Sequence, residues 1–244
     1  MALPIFYNKP VVLSSQIHAD LRLQVRNKFH FAAGSNSVAL KASEFAQACH
    51  EYPIVFVQDK DSGTVNPVAV LGLKERQNLF VDATGRWDAT YVPAYIRRYP
   101  FILATQGEEG EAPDYKVCID EAYTGFSRDK GERLFLDDGE QSDYLKRALN
   151  LLQDYQAHSL RTAEFARRLQ DWGLLQPLQA SVEMRTGDKM ALTGFMAVDQ
   201  KKLKALPAER LAELVQKDEL GVIYYHLLSL NNFGRLVDRM AEAA

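Results

Sequence analysis

The sequence predicts an α+β fold in which a mostly antiparallel sheet from the first half of the chain packs against a helical second half. Up to about residue 138, short apolar runs alternate with turn residues, and such short connections favour antiparallel pairing over parallel crossovers. From about residue 139 onwards, apolar residues recur at helical spacing between charged ones. We expect a single domain over residues 1–244, β-rich over 1–138 and mainly helical over 139–244.

Short apolar segments predict the strands of the first half. Leu21–Val25 alternates apolar and polar residues, as a half-buried strand does, and Phe29–Ala32 is expected to continue it. Ile54–Val57 is continuously apolar, which is typical of a strand buried on both faces. A polar turn separates it from Val65–Leu73, so the pair predicts an antiparallel hairpin. The other predicted strands are Asn78–Val81, Phe101–Ala104 and Tyr115–Ile119.

Helix signals are short in the first half and long in the second. Ser43–Cys49 predicts a helix capped by Ser43, and Tyr91–Tyr99 predicts one with Pro93 in its first turn. Ser142–Gly173 has apolar residues at helical spacing and predicts one long helix, or two that break near residue 158. The second half is completed by a hairpin of Leu178–Val182 with Leu192–Val198 and by helices over Pro207–Lys217 and Leu220–Met240.

Composition and charge exclude some classes of function. The net charge is −3, so no global basic field attracts nucleic acid, although a local basic patch stays open. No window reaches eighteen uninterrupted apolar residues, so no segment is expected to span a membrane. Cys49 and Cys118 lack metal-ligand spacing and are expected to be buried free thiols, with one disulfide as the alternative. The first fifteen residues do not resemble a secretory signal, which predicts a cytoplasmic protein; signal-independent export to the cell surface is the alternative.

Motifs that carry chemistry are absent from the sequence. It contains no glycine-rich phosphate loop and no GxSxG elbow, so no cofactor is expected and no catalytic residue can be named. His18-Ala19-Asp20 matches half of a non-haem iron triad, which would need a distant histidine such as His50 or His226. A metal-dependent oxygenase or another small-molecule-modifying enzyme is therefore the alternative function.

Acidic residues gather in two turns. Asp82 and Asp88 flank one turn, and Asp137, Asp138 and Glu140 precede the long predicted helix. Carboxylates this close could bind a hard cation or act as an acid–base pair. The alternative is that they are solvated or stabilise the start of a helix, where negative charge is favoured.

The stretch Asn78–Phe101 concentrates aromatic residues beside a pair of arginines. Trp87, Tyr91, Tyr95, Arg97 and Arg98 are the candidate residues for binding a ligand or partner, because aromatic rings and arginine dominate binding hot spots. Guanidinium groups would also suit a carboxylate, phosphate or peptide. The alternative is that the aromatic residues fill the core while the arginines pair with nearby acids.

The C-terminal run Tyr224–Leu236 predicts a helix that is apolar on more than one side. Such a helix is either well buried or contacts a partner. Asn231 and Asn232 lie inside it although asparagine is a poor helix former, and Asn231 is a candidate for a buried polar contact.

Several stretches together resemble the SapC family of bacterial proteins. The resemblance runs over nearly the whole chain, and the central block is its most specific part. It is carried by the stretches Pro4–Pro10 with His18, Glu44-Phe45, Tyr52–Phe56, Leu71–Leu73, Asn78–Asp82, Gly85 with Trp87, Tyr91–Phe101, Leu134-Phe135, Gly194-Phe195 and His226–Asn232.

The resemblance implies a role but no reaction. The family takes its name from surface-layer loci, and related proteins are encoded near outer-membrane receptors, flavin-dependent tryptophan halogenases and cupin-like oxygenases. It supplies no catalytic residues for this chain. The resemblance, without a signal peptide, fits an accessory protein that acts on something destined for the cell surface. The aromatic–arginine block and the lack of catalytic motifs predict that it is a non-enzymatic binding protein with a protein or peptide partner. A structural surface-layer component is a third hypothesis.

Overall fold

The computed structural model describes residues 4–24, 28–106, 114–178, 180–183 and 189–242. It confirms the α+β class: antiparallel sheets dominate the first half of the chain and helices the second. The chain divides into two compact units, each made of two sequence segments. The first unit comprises Met1–Lys28 and Ile96–Gln156, and the second comprises Phe29–Tyr95 and Ala157–Ala244. The expectation of one domain over 1–244 stays a prediction.

The bounds of the strands and helices are as follows. The strands are Pro10–Val12 (β1), Arg22–Leu23 (β2), Ser37–Ala39 (β3), Ile54–Gln58 (β4), Val65–Val70 (β5), Phe101–Gln106 (β6), Asp114–Asp120 (β7), Phe126–Ser127 (β8), Glu132–Arg133 (β9), Leu175–Pro177 (β10), Ala180–Glu183 (β11), Lys189–Leu192 (β12) and Met196–Val198 (β13). The α-helices are Phe45–Ala48 (α1), Ala94–Arg97 (α2), Asp143–Asp171 (α3), Gln200–Lys204 (α4), Ala208–Gln216 (α5), Glu219–Ser229 (α6) and Asn232–Glu242 (α7). Short 3-10 helices cover His30–Ala32 and Ala42–Glu44.

The first unit is built on a small antiparallel sheet with the order β1-β7-β6. A second set of short strands has the order β8-β2-β9. Side chains of the first sheet pack with the N-terminal part of α3 in one apolar cluster, whose buried members are Leu23, Phe101, Ile119, Leu134, Phe135, Leu145 and Leu152. The unit thus has a core of its own, which residues 96–156 mostly supply.

The second unit holds a sheet with the order β10-β13-β4-β5-β3. The β4–β5 hairpin is antiparallel as predicted, and Ile54, Val55 and Phe56 are fully buried at its centre. Phe165 of α3 packs against Phe45 and Phe56, with ring centroids 6.4 Å apart in both pairs. Since aromatic pairs at this spacing add to the energy of burial, they stabilise the packing of α3 against α1 and against this sheet.

Several predicted elements differ from the structure. In the second half, β11 pairs with β12, whereas β13, part of the predicted strand Leu192–Val198, pairs with β10 and β4. The helix predicted over Leu220–Met240 is two helices, α6 and α7.

Two further differences lie in the first half. No strand forms at Asn78–Val81: the side chain of Asn78 accepts the backbone N–H of Phe80 at 2.9 Å, which turns the chain, and Val81 makes only a single bridge, with Trp87. Phe29–Ala32 does not extend a strand, because its last three residues form a 3-10 helix. The long predicted helix is one helix, α3, without a break near residue 158.

Gly85 closes the turn that precedes Trp87. Its φ of +80° lies in the left-handed region, and an added Cβ would stand 2.3 Å from Nε2 of His30. Its carbonyl accepts the backbone N–H of Phe29 at 2.7 Å. Only glycine allows both the turn and this close approach.

Candidate functional site

Trp87 lies in the core of the second unit rather than on a surface. Only 6% of it is exposed, and its indole N–H donates to the hydroxyl of Tyr52 at 2.9 Å. Its ring stacks on Phe80 at 6.1 Å and meets the edge of Phe29 at 5.6 Å. The hydroxyl of Tyr52 donates in turn to the backbone carbonyl of Tyr91. Burial raises the pKa of Tyr52, so this hydroxyl stays a proton donor.

The buried carboxylate of Glu44 fixes Tyr91 and the start of α2. It accepts the hydroxyl of Tyr91 and the backbone N–H of Ala94, both at 2.7 Å. The other carboxylate oxygen accepts the backbone N–H of Lys41 at 2.8 Å. Tyr95 is buried as well. The side chains of the aromatic part of the candidate block therefore hold the fold of the second unit together.

The two candidate arginines belong to the first unit and differ from each other. Arg97 is exposed, whereas Arg98 is half-buried with its guanidinium 4.5 Å above the ring of Tyr155. A cation at this distance from a ring is attracted by the ring's negative face, which gives Arg98 a packing role. The binding role assigned to Trp87, Tyr91, Tyr95, Arg97 and Arg98 stays a prediction, and Arg97 is the member most accessible to a partner.

Of the three histidines proposed for an iron site, His50 is exposed and the other two have structural roles. His226 is fully buried: Nε2 accepts the backbone N–H of Val198 at 3.0 Å, and Nδ1 lies 2.8 Å from the carbonyl of Ile54, to which it donates. Burial lowers the pKa of His226 to about 4, so the ring is neutral. The Nδ1 atom of buried His18 accepts the backbone N–H of Ser14 at 3.0 Å, and Asp20 is exposed. Within the residues that the structure describes, no three His, Cys, Asp or Glu side chains gather in a way that could hold a metal ion.

The acidic clusters mostly serve local structure. Asp82 accepts the backbone N–H groups of Thr84 and Arg86 at 2.8 and 2.9 Å. The hydrogen bond from the Thr84 hydroxyl lowers the pKa of Asp82 most, and these backbone bonds lower it further. Asp88 pairs with Arg239 at 2.7 Å. Asp137 pairs with Arg133. The alternative of solvated or structural carboxylates therefore fits these positions.

Buried polar side chains join the C-terminal helices to β4 and to the residues just before it. Ser229 accepts the backbone N–H of Ile54 at 2.9 Å, and Asn232 donates to the carbonyls of Cys49 and Tyr52 at 2.7 and 3.1 Å. Asn231, the predicted buried amide, is exposed instead. The helix breaks between α6 and α7, and this break turns Asn232 rather than Asn231 inward.

Asp120 is the most buried carboxylate of the first unit and also went unnoticed in the sequence. It is fully buried and accepts four hydrogen bonds. The two short ones come from the backbone N–H of Lys9 at 2.7 Å and the hydroxyl of Tyr99 at 2.9 Å. The longer ones come from the backbone N–H groups of Asn8 at 3.2 Å and Ala122 at 3.4 Å. An aspartate at the end of a strand gives no sequence signal of this role, which is to hold the segment around Asn8 and Lys9 in place.

The first unit also contains a groove, which we call the β1–α3 groove. It is lined by residues 12–16, by residues 115–117 of β7, by Phe135, by the turn 139–141 and by Leu145 and Leu149 of α3, and its volume is about 630 Å³. Its floor is apolar because Phe135 and Leu145 are core residues, while Val12 at its rim is 53% exposed. This volume falls within the range of about 300–1,000 Å³ found for ligand sites.

The β1–α3 groove lies beside β1, an edge strand of its sheet, and one side of β1 can form backbone hydrogen bonds with another segment. Leu13 donates its N–H to Val117, and Lys9 accepts the N–H of Glu121, so these residues face β7. Alternation along an antiparallel strand then directs the N–H and C=O of Val12 away from β7. An extended segment could pair with this edge.

A second exposed apolar surface lies on α6 in the second unit, and we call it the α6 outer face. It consists of Gly221, Tyr224, Tyr225 and Leu228; the three side chains are 46%, 40% and 53% exposed. No Asp, Glu, Lys or Arg occurs between residues 220 and 234. The helix that was predicted to be apolar on more than one side thus has one face in the core, with His226 and Ser229, and another face in solvent.

Comparison with known proteins gives one match. A model of the SapC family matches residues 13–236 of the 244-residue chain. No curated protein and no solved structure matches the chain. Among the described helices, none is both long and apolar enough to cross a membrane.

Proposed function

Because the chain belongs to the SapC family, we propose that it is a non-enzymatic accessory protein that binds a polypeptide partner linked to surface-layer or outer-membrane systems. We further propose that it does so in the cytoplasm, on a partner destined for the surface. The observation that carries the proposal is the β1–α3 groove, whose lining combines apolar side chains with a larger share of polar ones and whose rim is exposed.

The chemistry of the groove favours a polypeptide over a small metabolite. Val12 and the partly exposed Leu149 offer apolar contacts above the buried side chains of Phe135 and Leu145, and these contacts suit apolar side chains. The outer edge of β1 offers one N–H and one C=O at Val12, a pattern that an extended main chain matches. Tyr115 and Gln141 on the rim add polar groups that can fix the register of a bound segment.

A site-specific cross-link tests the proposal in the cells that make the protein. Tyr115 is replaced by a photoreactive benzophenone amino acid, and the cross-linked product is identified by mass spectrometry. We expect one polypeptide to dominate the product. The absence of any polypeptide cross-link, together with unchanged cell-surface composition in a deletion strain, would overturn the proposal.

A pair of variants then assigns binding to the groove. Val12→Glu places a charge at the rim without touching the core, since the side chain of Val12 is largely exposed. Leu160→Glu is the matched control, because Leu160 is 59% exposed and lies on α3 in the second unit. We expect Val12→Glu to weaken binding of the purified partner at least tenfold, about 1.4 kcal/mol, and the control to bind as the natural protein does.

A further inference from the structure

We propose that the α6 outer face is a self-association surface, through which two copies of this chain pair with their α6 helices antiparallel about a two-fold axis. The inference goes beyond the proposed function, because it concerns another surface, on the second unit, and another partner.

The first argument is charge. The exposed residues of the α6 outer face are uncharged. Glu219, the only acidic residue of α6, forms a salt bridge with Arg168 at 2.8 Å. Pairing with the same face of a second copy would therefore bring no like charges together, and it would remove no charged group from water. Depletion of charge and enrichment of tyrosine are the marks of the central part of a protein interface. In the part of the chain that the structure describes, the side chains of Tyr224 and Tyr225 make no hydrogen bond or ring contact that would occupy them.

The second argument is shape. Gly221 and Leu228 are seven residues apart, about 10 Å along the helix, and so lie on one line of the same face. Tyr224 and Tyr225 flank that line on its two sides. Nothing stands within 4 Å of the position that a Cβ of Gly221 would occupy, so the face is open and low at Gly221, and we call this low point the hole. Leu228, 53% exposed, is a knob.

A two-fold axis brings the hole and the knob together. When it passes midway between Tyr224 and Tyr225, Gly221 of each copy faces Leu228 of the other, and the two tyrosines of one copy face those of the other. The face is then complementary to itself, as an isologous interface requires. A parallel arrangement would instead place Leu228 against Leu228 and leave two glycine holes unfilled.

The area sets the strength of the pair. The three exposed side chains supply roughly 300 Å² per copy, less than half of the about 800 Å² per partner of a standard stable interface. Self-association is therefore expected to be weak and to depend on concentration.

Sedimentation equilibrium tests the proposal, over concentrations from about 5 µM to about 1 mM that bracket a weak interface. The weight-average mass is expected to rise from 27.6 kDa, the mass of one chain, towards twice that value. Leu228→Glu should keep the protein monomeric, and Leu160→Glu should associate as the natural chain does. A natural chain that stays monomeric throughout, whether α6 is unused or covered by another protein in the cell, overturns the proposal.

Two further variants test the register. Gly221→Leu fills the hole and should abolish association, while the better helix propensity of leucine leaves the monomer at least as stable. Leu228→Glu mixed with Gly221→Lys should form a heterodimer, because the introduced Glu and Lys face each other across the axis, whereas neither variant associates alone. A mixture that sediments as two monomers, or a Gly221→Leu variant that still pairs, overturns the antiparallel arrangement.

Discussion

The hydroxyl of Tyr52 accepts the indole N–H of Trp87 at 2.9 Å, in a part of the second unit where both side chains are buried. The same hydroxyl donates to the carbonyl of Tyr91. Tyr52→Phe should therefore leave one buried donor and one part-buried acceptor unpaired, with almost no change in volume. We expect a loss of about 2–4 kcal/mol in the free energy of unfolding, measured with urea.

Tyr224→Phe is the matched control for that variant, measured at low protein concentration. It removes an exposed hydroxyl and should change the free energy of unfolding by less than about 0.5 kcal/mol. Equal effects of the two substitutions would contradict a structural role for the Tyr52 hydroxyl.

His226 should make the stability of the protein depend on pH. Its pKa is lowered to about 4 in the folded state because the ring is buried, whereas an unfolded histidine has a pKa of about 6.5. The contribution is therefore complete above about pH 6.5 and is lost as the pH falls through that value towards 4. A shift of this size corresponds to about 3 kcal/mol. The measurement is the free energy of unfolding in urea between pH 7.5 and 4.5.

The variant His226→Gln identifies the share of the pH dependence that belongs to this residue. Its stability at pH 7.5 should be lower, because backbone groups at Ile54 and Val198 lose their partners. Its slope with pH between 6.5 and 4.5 should also be flatter, since glutamine does not titrate. Parallel slopes in the two proteins would show that His226 does not carry the effect.

Asp120→Asn should destabilise the first unit. The substitution replaces one acceptor oxygen by an amide donor that faces groups which themselves donate, among them Lys9 N–H and the Tyr99 hydroxyl. We expect a loss of about 2–4 kcal/mol in a urea titration. Asp129→Asn, at an exposed position, should lie within about 0.5 kcal/mol of the natural protein, and a similar loss there would refute the assignment.

Replacement by alanine should have different effects at Arg97 and at Arg98: the first should change binding and the second should change stability. Arg97→Ala should weaken capture of the polypeptide partner, because Arg97 is exposed and accessible to that partner. Arg98→Ala should lower the unfolding free energy by about 0.5–1 kcal/mol, since it removes the cation 4.5 Å above the ring of Tyr155. Full binding by the first variant would show that Arg97 has no role in recognition.

The periodicity of apolar residues in the sequence correctly predicts the strands and helices whose formation depends mainly on burying those residues. The continuous apolar run Ile54–Val57 becomes the central strand β4, and the helical spacing of residues 142–173 becomes α3. The strand predicted at Asn78–Val81 fails because the side chain of Asn78 competes for the backbone N–H of Phe80. Such competition depends on a single hydrogen bond, which apolar periodicity does not register.

The candidate sites are harder to predict because exposure is a property of the folded chain. Aromatic residues are concentrated around Trp87, but the residue type alone does not show whether an aromatic side chain lies in the core or in a binding surface. His226 finds its acceptor at Ile54, 172 residues away, and no short motif records that pairing. The α6 outer face becomes visible only when the fold shows which side of the helix meets the core.

The division of each unit between two distant segments sets the order in which the chain can fold during translation. Ile54 leaves the ribosome 175 residues before Ser229, the side chain that satisfies its backbone N–H. At about 5–20 residues per second, that interval lasts roughly 9–35 s. During this time the apolar strand β4 is synthesised but lacks the helices that cover it. The second unit must therefore fold late, and the nascent chain offers molecular chaperones a long-lived apolar segment to hold.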